Sequence, residues 1–182
     1  YRDWAELKRM CRYLAGTRDE VLVARRGLLA PSPDMKEPIQ IIVWSDAGWG
    51  ATGSRSTSGG IIAINGMLIA SWSKTQSTVS LSSAESELTG VALACTEALF
   101  IAHLLGDMGF RTHVTVLSDS TATVAMAQRQ GPGRVKHLTL NQLWLQKEHA
   151  QKTIEFGRVP VEQNFADLVT KAMAALLAQW CW

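Results

Sequence analysis

Cysteine is scarce in this chain: three residues out of 182, Cys11, Cys95 and Cys181. Their number is odd, they stand far apart, and no pair has CxxC spacing, so neither a disulfide framework nor a zinc site is expected and a reducing compartment fits best. Long apolar runs are missing too. None approaches the roughly 20 residues of a membrane span, and the opening YRDWAELKRM is not a secretory signal. Charge of one sign is also lacking, since 18 Lys plus Arg against 16 Asp plus Glu leave a net +2. That excludes a broad electrostatic footprint for nucleic acid and leaves only local patches. There is no initiating Met, and the first residues fall inside a helical pattern, so a piece of something longer is expected. What the chain does have is 47% apolar residues, enough to bury a substantial core.

Trp4, Leu7, Cys11 and Leu14 recur at helical spacing up to Gly16, which predicts a short amphipathic helix over 3–15. VLVA at 21–24 reads as a short strand. LLAPSPDMKEP then carries three prolines in eight residues and reads as a linker, so 1–38 is expected to be an N-terminal connection. The main domain is predicted over 39–173. IQIIVWS is a buried strand ending at Asp46, and GGIIAI and MLIASW flank Asn65-Gly66, a strong hairpin signal. A long helix follows, with Leu88, Val91, Ala92, Cys95, Leu99 and Ala102 on one face and Glu97 pointing away. HVTVLS (113–118) is a strand ending at Asp119, ATVAMAQ a short helix closed by the glycines at 131–133, 135–150 a helix, TIEFGRV a fifth strand, and NFADLVTKAMAALLA a last helix. Three meandering strands followed by alternating helices and strands predict an α/β domain whose mixed sheet is parallel in its second half. The apolar tail 174–182, with Trp180 and Trp182, either packs on this core or continues into further sequence.

The acids fall at informative places. Asp46 and Asp119 each sit at the carboxyl end of an apolar strand, where open α/β sheets bind ligands. A single aspartate there is more often a turn former or helix cap. Two on neighbouring parallel strands repel unless they share a proton or a cation, and a hard divalent metal is the natural resolution. The long helix offers Glu85 or Glu87 as a third acid. Ser82 and Glu85 fit the S-x-x-E capping box, which gives Glu85 a structural task; periodicity by itself does not choose between the two. Asp167 lies in the first turn of the last helix, where a carboxylate also favours the macrodipole.

WSDAGWG, GSRSTSGG, SWSKTQSTVSLSSAESEL, VLSDSTATVAMAQ, VKHLTL and IEFGRVPVEQNFADLVTK, in that order, resemble the ribonuclease H domain of copia-type LTR-retrotransposon polyproteins. WAELKRMCRYLAGTRD resembles the stretch joining reverse transcriptase to that domain. The resemblance implies a ribonuclease H-like fold, a five-stranded mixed sheet flanked by helices, and four acids that hold two Mg²⁺ or Mn²⁺ ions. Residue by residue the acids are Asp46, Glu87, Asp119 and Asp167, and Glu87 is chosen because ELTGVA matches the family's helix motif. The implied activity is metal-dependent hydrolysis of the RNA strand of an RNA–DNA hybrid during reverse transcription, with no small-molecule cofactor and no membrane. The implied partner is the reverse transcriptase domain of the same polyprotein. The implied location is the cytoplasm, within a retroelement particle, or the nucleus.

Hybrid contacts are expected from Arg55, Lys74 and Gln76 near the first strands and from Arg134, Lys136 and His137 beside the 131–133 glycines, ordinary solvated surface being the alternative for each. Family members often carry a second Asp where Gly48 stands, a Lys-His-Ile-Asp where this chain has Lys136-His137-Leu138-Thr139, and a histidine before the last helix. The second reading is a degenerate remnant that binds nucleic acid or a protein without cleaving.

Overall fold

Asn65 and Gly66 adopt positive φ values of 48° and 82°, as the tight turn of a two-residue hairpin requires. They join β2 (Thr57–Ile64) to β3 (Met67–Thr75). The computed structural model describes residues 2–21, 37–50, 54–131 and 139–171. Most of the strand and linker expected over 21–38, the cluster Arg134, Lys136 and His137, and the apolar tail lie outside the described residues.

Five strands form one sheet in the order β3-β2-β1-β4-β5, with β1 at Ile39–Gly48, β4 at Thr112–Ser118 and β5 at Ile154–Arg158. β1 pairs antiparallel with β2, which pairs antiparallel with β3, while β1–β4 and β4–β5 are parallel. The first three strands run longer than their apolar runs predict: β2 starts at Thr57, β3 reaches Thr75, and β1 does not stop at Asp46. Its antiparallel ladder with β2 continues through Asp46↔Gly59 to Gly48↔Thr57, because β2 supplies backbone partners that far. The parallel ladder with β4 ends earlier, at Ser45↔Ser118. Asp46 and Asp119 are therefore the next residues on two adjacent strands at the same level, which fixes them side by side.

Helices α1 (Arg2–Gly16), α2 (Ser83–Asp107), α3 (Thr121–Gln128), α4 (Thr139–Ala150) and the short α5 (Asp167–Thr170) complete the described structure with a 3₁₀ turn at Val161–Gln163. On α1, Trp4, Leu7, Met10, Tyr13 and Leu14 remain exposed. α2 starts as its sequence predicts: Ser82 Oγ accepts from Glu85 N–H at 3.2 Å, and the Glu85 carboxylate reaches back to Leu81 N–H at 2.6 Å. Leu88, Val91, Ala94, Cys95, Ala98 and Ala102 make its buried face, packed on β1, β2 and β4. Each fully buried Leu or Val there contributes about 1.5–3 kcal/mol. α2 is long and apolar enough to cross a membrane by length and composition only, although Thr89, Thr96, Glu97 and His103 break it into short apolar runs. In this fold it is the core helix.

Gln76 also departs from expectation. Expected at the substrate surface, it is instead buried, and its amide donates to Ser58 Oγ (2.9 Å) and Ser86 O (2.9 Å) while accepting from Ser80 Oγ (2.9 Å). It pins the end of β3 to β2 and to the start of α2. A buried amide needs such partners, so none of it is left for a nucleic-acid backbone.

Candidate metal centre

Asp46, Asp119 and Asp167 each place a carboxylate oxygen within 4.8 Å of the others. Three different constraints bring them together. Alternation along β1 puts Trp44 and Asp46 on one face, and Ser45 on the other, towards Gly90 of α2. Asp46 is 2% exposed. Asp119 follows β4 directly, and the helix-cap task that could have occupied it belongs to Ser120, whose Oγ accepts from Thr123 N–H at 3.3 Å. Its carboxylate is not spent on the cap.

Asp167 is the long-range member. Asn164, 119 residues from Ser45 in the chain, donates its side-chain N–H to Ser45 O at 3.1 Å and accepts from Ala166 N–H at 3.3 Å. Phe165 packs on Trp44, ring centroids 4.9 Å apart, and Val159 N–H donates to Ser118 O at 3.1 Å. With these contacts in place, α5 lies against β1, β2 and β3. Thr170 then donates its hydroxyl to Asp46 Oδ2. Lys171 Nζ lies 2.8 Å from Asp167 Oδ1 and 3.9 Å from Asp46 Oδ2.

Glu87 stands outside the 4.8 Å group but within its field. One of its carboxylate oxygens is buried without a hydrogen-bond partner among the described residues. Burial, then the negative charges of Asp46 and Asp119, push its carboxyl up to about 8. Burial likewise raises Asp46 above the usual carboxylate range, opposed by the Thr170 hydrogen bond and the Lys171 charge. Burial by itself would lower the Lys171 ammonium, but the Asp167 hydrogen bond and the surrounding carboxylates outweigh it and raise it. A carboxyl held near 8 by burial, and further by the neighbouring acids, marks a cleft where negative charge is concentrated.

Of the expected substrate donors, Arg55 is exposed. Lys74 is exposed as well, but its ammonium is 2.9 Å from Glu97, a surface pair of small energetic weight. Gln76 is excluded by its burial. The neighbourhood also contains residues that the sequence reading did not single out: Thr170, Lys171, Asn164 and Phe165. Thr170 and Lys171 stand three and four residues after Asp167, so one helical turn returns them to its face; that spacing was the available signal. Asn164 and Phe165 act across the chain and left none. At Gly48 a Cβ would have room, meeting only Thr170 O at 3.8 Å.

No protein-family model matches the chain. Over 181 residues, 97% of this chain, it is 29% identical to the retrovirus-related Pol polyprotein from transposon RE2 of Arabidopsis thaliana. Over 173 residues, 92% of this chain, it is 27% identical to that from transposon RE1 of the same plant. The chain spans 12% and 11% of the length of these two relatives. Among solved structures it is similar to the N-terminal RNase H domain of Rv2228c from Mycobacterium tuberculosis, with a TM-score of 0.53 and 19% identity over 78% of this chain and 97% of that one. The fold is ribonuclease H-like, and these two relatives are retrovirus-related Pol polyproteins of plant transposons.

Proposed function

We propose that this ribonuclease H-like domain is a metal-dependent endoribonuclease that hydrolyses the RNA strand of RNA–DNA hybrids, acting within a Pol polyprotein beside its reverse transcriptase. The observation that carries this reading is the convergence of Asp46, Asp119 and Asp167 within 4.8 Å, with Glu87 and its unpartnered buried oxygen alongside. An all-carboxylate donor set suits hard divalent cations, Mg²⁺ or Mn²⁺, and leaves no role for a soft thiolate-seeking metal.

The four acids would hold two such ions. When bound, these supply Lewis-acid activation of water and charge stabilisation at the departing 3′ oxygen. The protein's own groups do the rest. Asp46, buried and on a central strand, is the rigid reference point; Asn164 and Phe165 bring Asp167 to it. Thr170 orients the Asp46 carboxylate by donating to one oxygen. Lys171, half exposed at the mouth of the cluster, offers a cation to the phosphate under attack. Discrimination of RNA from DNA would rest on the 2′-hydroxyl, as it does wherever proteins separate the two at a backbone.

A labelled RNA–DNA hybrid with Mg²⁺ tests this. Cleavage confined to the RNA strand, abolished by Asp46→Asn and by Glu87→Gln but not by Glu85→Gln, is the expected result. Cleavage that survives Asp46→Asn would refute the assignment. Absence of both cleavage and divalent-ion binding in the unaltered chain would favour a non-cleaving remnant.

A further inference from the structure

We infer that Gly59 is a positioning residue for the metal centre: its missing side chain is the notch in which α5 sits, and Asp167 reaches the other acids only because β2 is bare at that point. The inference deepens the proposed function and rests on it as far as metal binding is concerned. Gly59 is the direct cross-strand partner of Asp46, so the two residues face the same side of the sheet. A Cβ built on Gly59 would fall 2.3 Å from Thr170 Cγ2, 2.8 Å from Val169 Cγ2 and 3.4 Å from Ala166 O. All three belong to α5 or its first residue's neighbour, the segment that carries Asp167. Carbon atoms in contact prefer about 3.5–4.0 Å, so an alanine would demand a displacement of about 1 Å or more.

That displacement has no inexpensive outlet. Thr170 and Val169 are both β-branched and stiff about χ1. Thr170 cannot rotate its methyl away without withdrawing its hydroxyl from Asp46 Oδ2 and Ala166 O. The backbone of α5 must therefore move, and Asp167 and Lys171 move with it. A metal site tolerates misplacement of about 0.5 Å in its ligands. The adjacent Gly60 has a separate explanation: a Cβ there would strike the Trp72 indole, 2.1 Å from Cζ2, so it accommodates the hydrophobic packing of β3.

The test is a cycle on the full chain, with Mn²⁺ binding measured by isothermal titration and melting followed in metal-free buffer. Gly59→Ala is expected to weaken Mn²⁺ binding at least tenfold. In a Val169→Ala/Thr170→Ser background, which removes both clashing methyl carbons and keeps the hydroxyl, the same substitution is expected to cost less than twofold. Melting should show the same coupling: Gly59→Ala lowers the transition in the wild-type background and much less in the trimmed one. If Gly59→Ala alone does not fold, recovery of folding in the trimmed background is the supporting result. Equal losses in the two backgrounds, or Mn²⁺ binding by Gly59→Ala within twofold of the unaltered chain, would overturn the inference. Failure of the unaltered chain to bind Mn²⁺ would instead overturn the proposed function, and the melting cycle would still decide the seating of α5.

Discussion

Replacing Glu87 with glutamine should make the protein more stable in metal-free alkaline buffer while removing most of its response to divalent ions. Burial, then the charges of Asp46 and Asp119, lift this carboxyl from 4.5 to about 8. Between those two values the native state keeps a proton that the unfolded chain has already released. Native stability due to this group is therefore highest below about 4.5, falls as pH rises through the interval, and is flat above about 8. At about 1.4 kcal/mol per pH unit the full interval would correspond to roughly 5 kcal/mol. Glu87 is only partly buried, and water in the cleft screens its neighbours, which reduces the expected penalty to about 1–3 kcal/mol. Glutamine keeps the shape and cannot ionise. In EDTA the variant should match the unaltered chain near pH 5 and exceed it near pH 8.5 by that amount, a melting difference of about 2–10 °C. Mg²⁺ should reverse the order at pH 8.5, because ions bound to the native state stabilise it only where the ligands are complete. Urea or thermal melts at the two pH values, with and without Mg²⁺, measure this. A variant no more stable than its parent at pH 8.5 in EDTA would refute the reasoning, since neither burial nor the other acids would then be opposing the charge on Glu87.

Lys171→Met should lower stability in EDTA by up to about 1 kcal/mol, a value discounted for its half-exposed ammonium, and should shift a Mn²⁺ titration to lower concentration by severalfold because a tethered cation no longer competes for Asp46 and Asp167; an unchanged or higher midpoint would count against that role. Gln76→Ala should cost about 2–4 kcal/mol by stripping partners from Ser58, Ser80 and Ser86, with affinity for a hybrid within twofold of the parent. A large loss of hybrid affinity at unchanged melting temperature would restore the surface role that burial excludes. Ser82→Ala should cost about 0.5–2 kcal/mol through the lost cap of α2, read by chemical denaturation.

Much of this molecule was legible in the chain because the signals were local. The Asn65-Gly66 turn, the Ser82 cap and the apolar face of α2 depend on residues within one or two turns of each other, and each has the predicted form, Glu85 reaching Leu81 N–H in place of the N-cap N–H. Glu87 over Glu85 was not legible in this way: the resemblance chose it, and in the structure Glu85 holds the start of α2 while Glu87 lies beside the aspartates. Local pattern misleads where the deciding partner is remote. Gln76 sits on an otherwise exposed-looking strand end, and only the approach of Ser86 from α2 and Ser58 from β2 turns its amide inward. Strand β1 runs beyond Asp46 because β2 continues to pair with it, while β4 does not.

By itself, then, the sequence determined the order of elements, the α/β class and the strand-end and helix acids as candidates, since hydrophobic period, turn residues and caps are properties of short segments; the choice of Glu87 among them came from the resemblance. The tertiary structure alone decided that Asp46 and Asp119 stand level, because that depends on where a parallel ladder between segments more than 60 residues apart happens to end. It alone decided that Asp167 joins them, through Asn164 on Ser45 and Phe165 on Trp44. And it gave Gly59 its meaning: a glycine in a strand is only a weak spot until the element that fills the space above it is known.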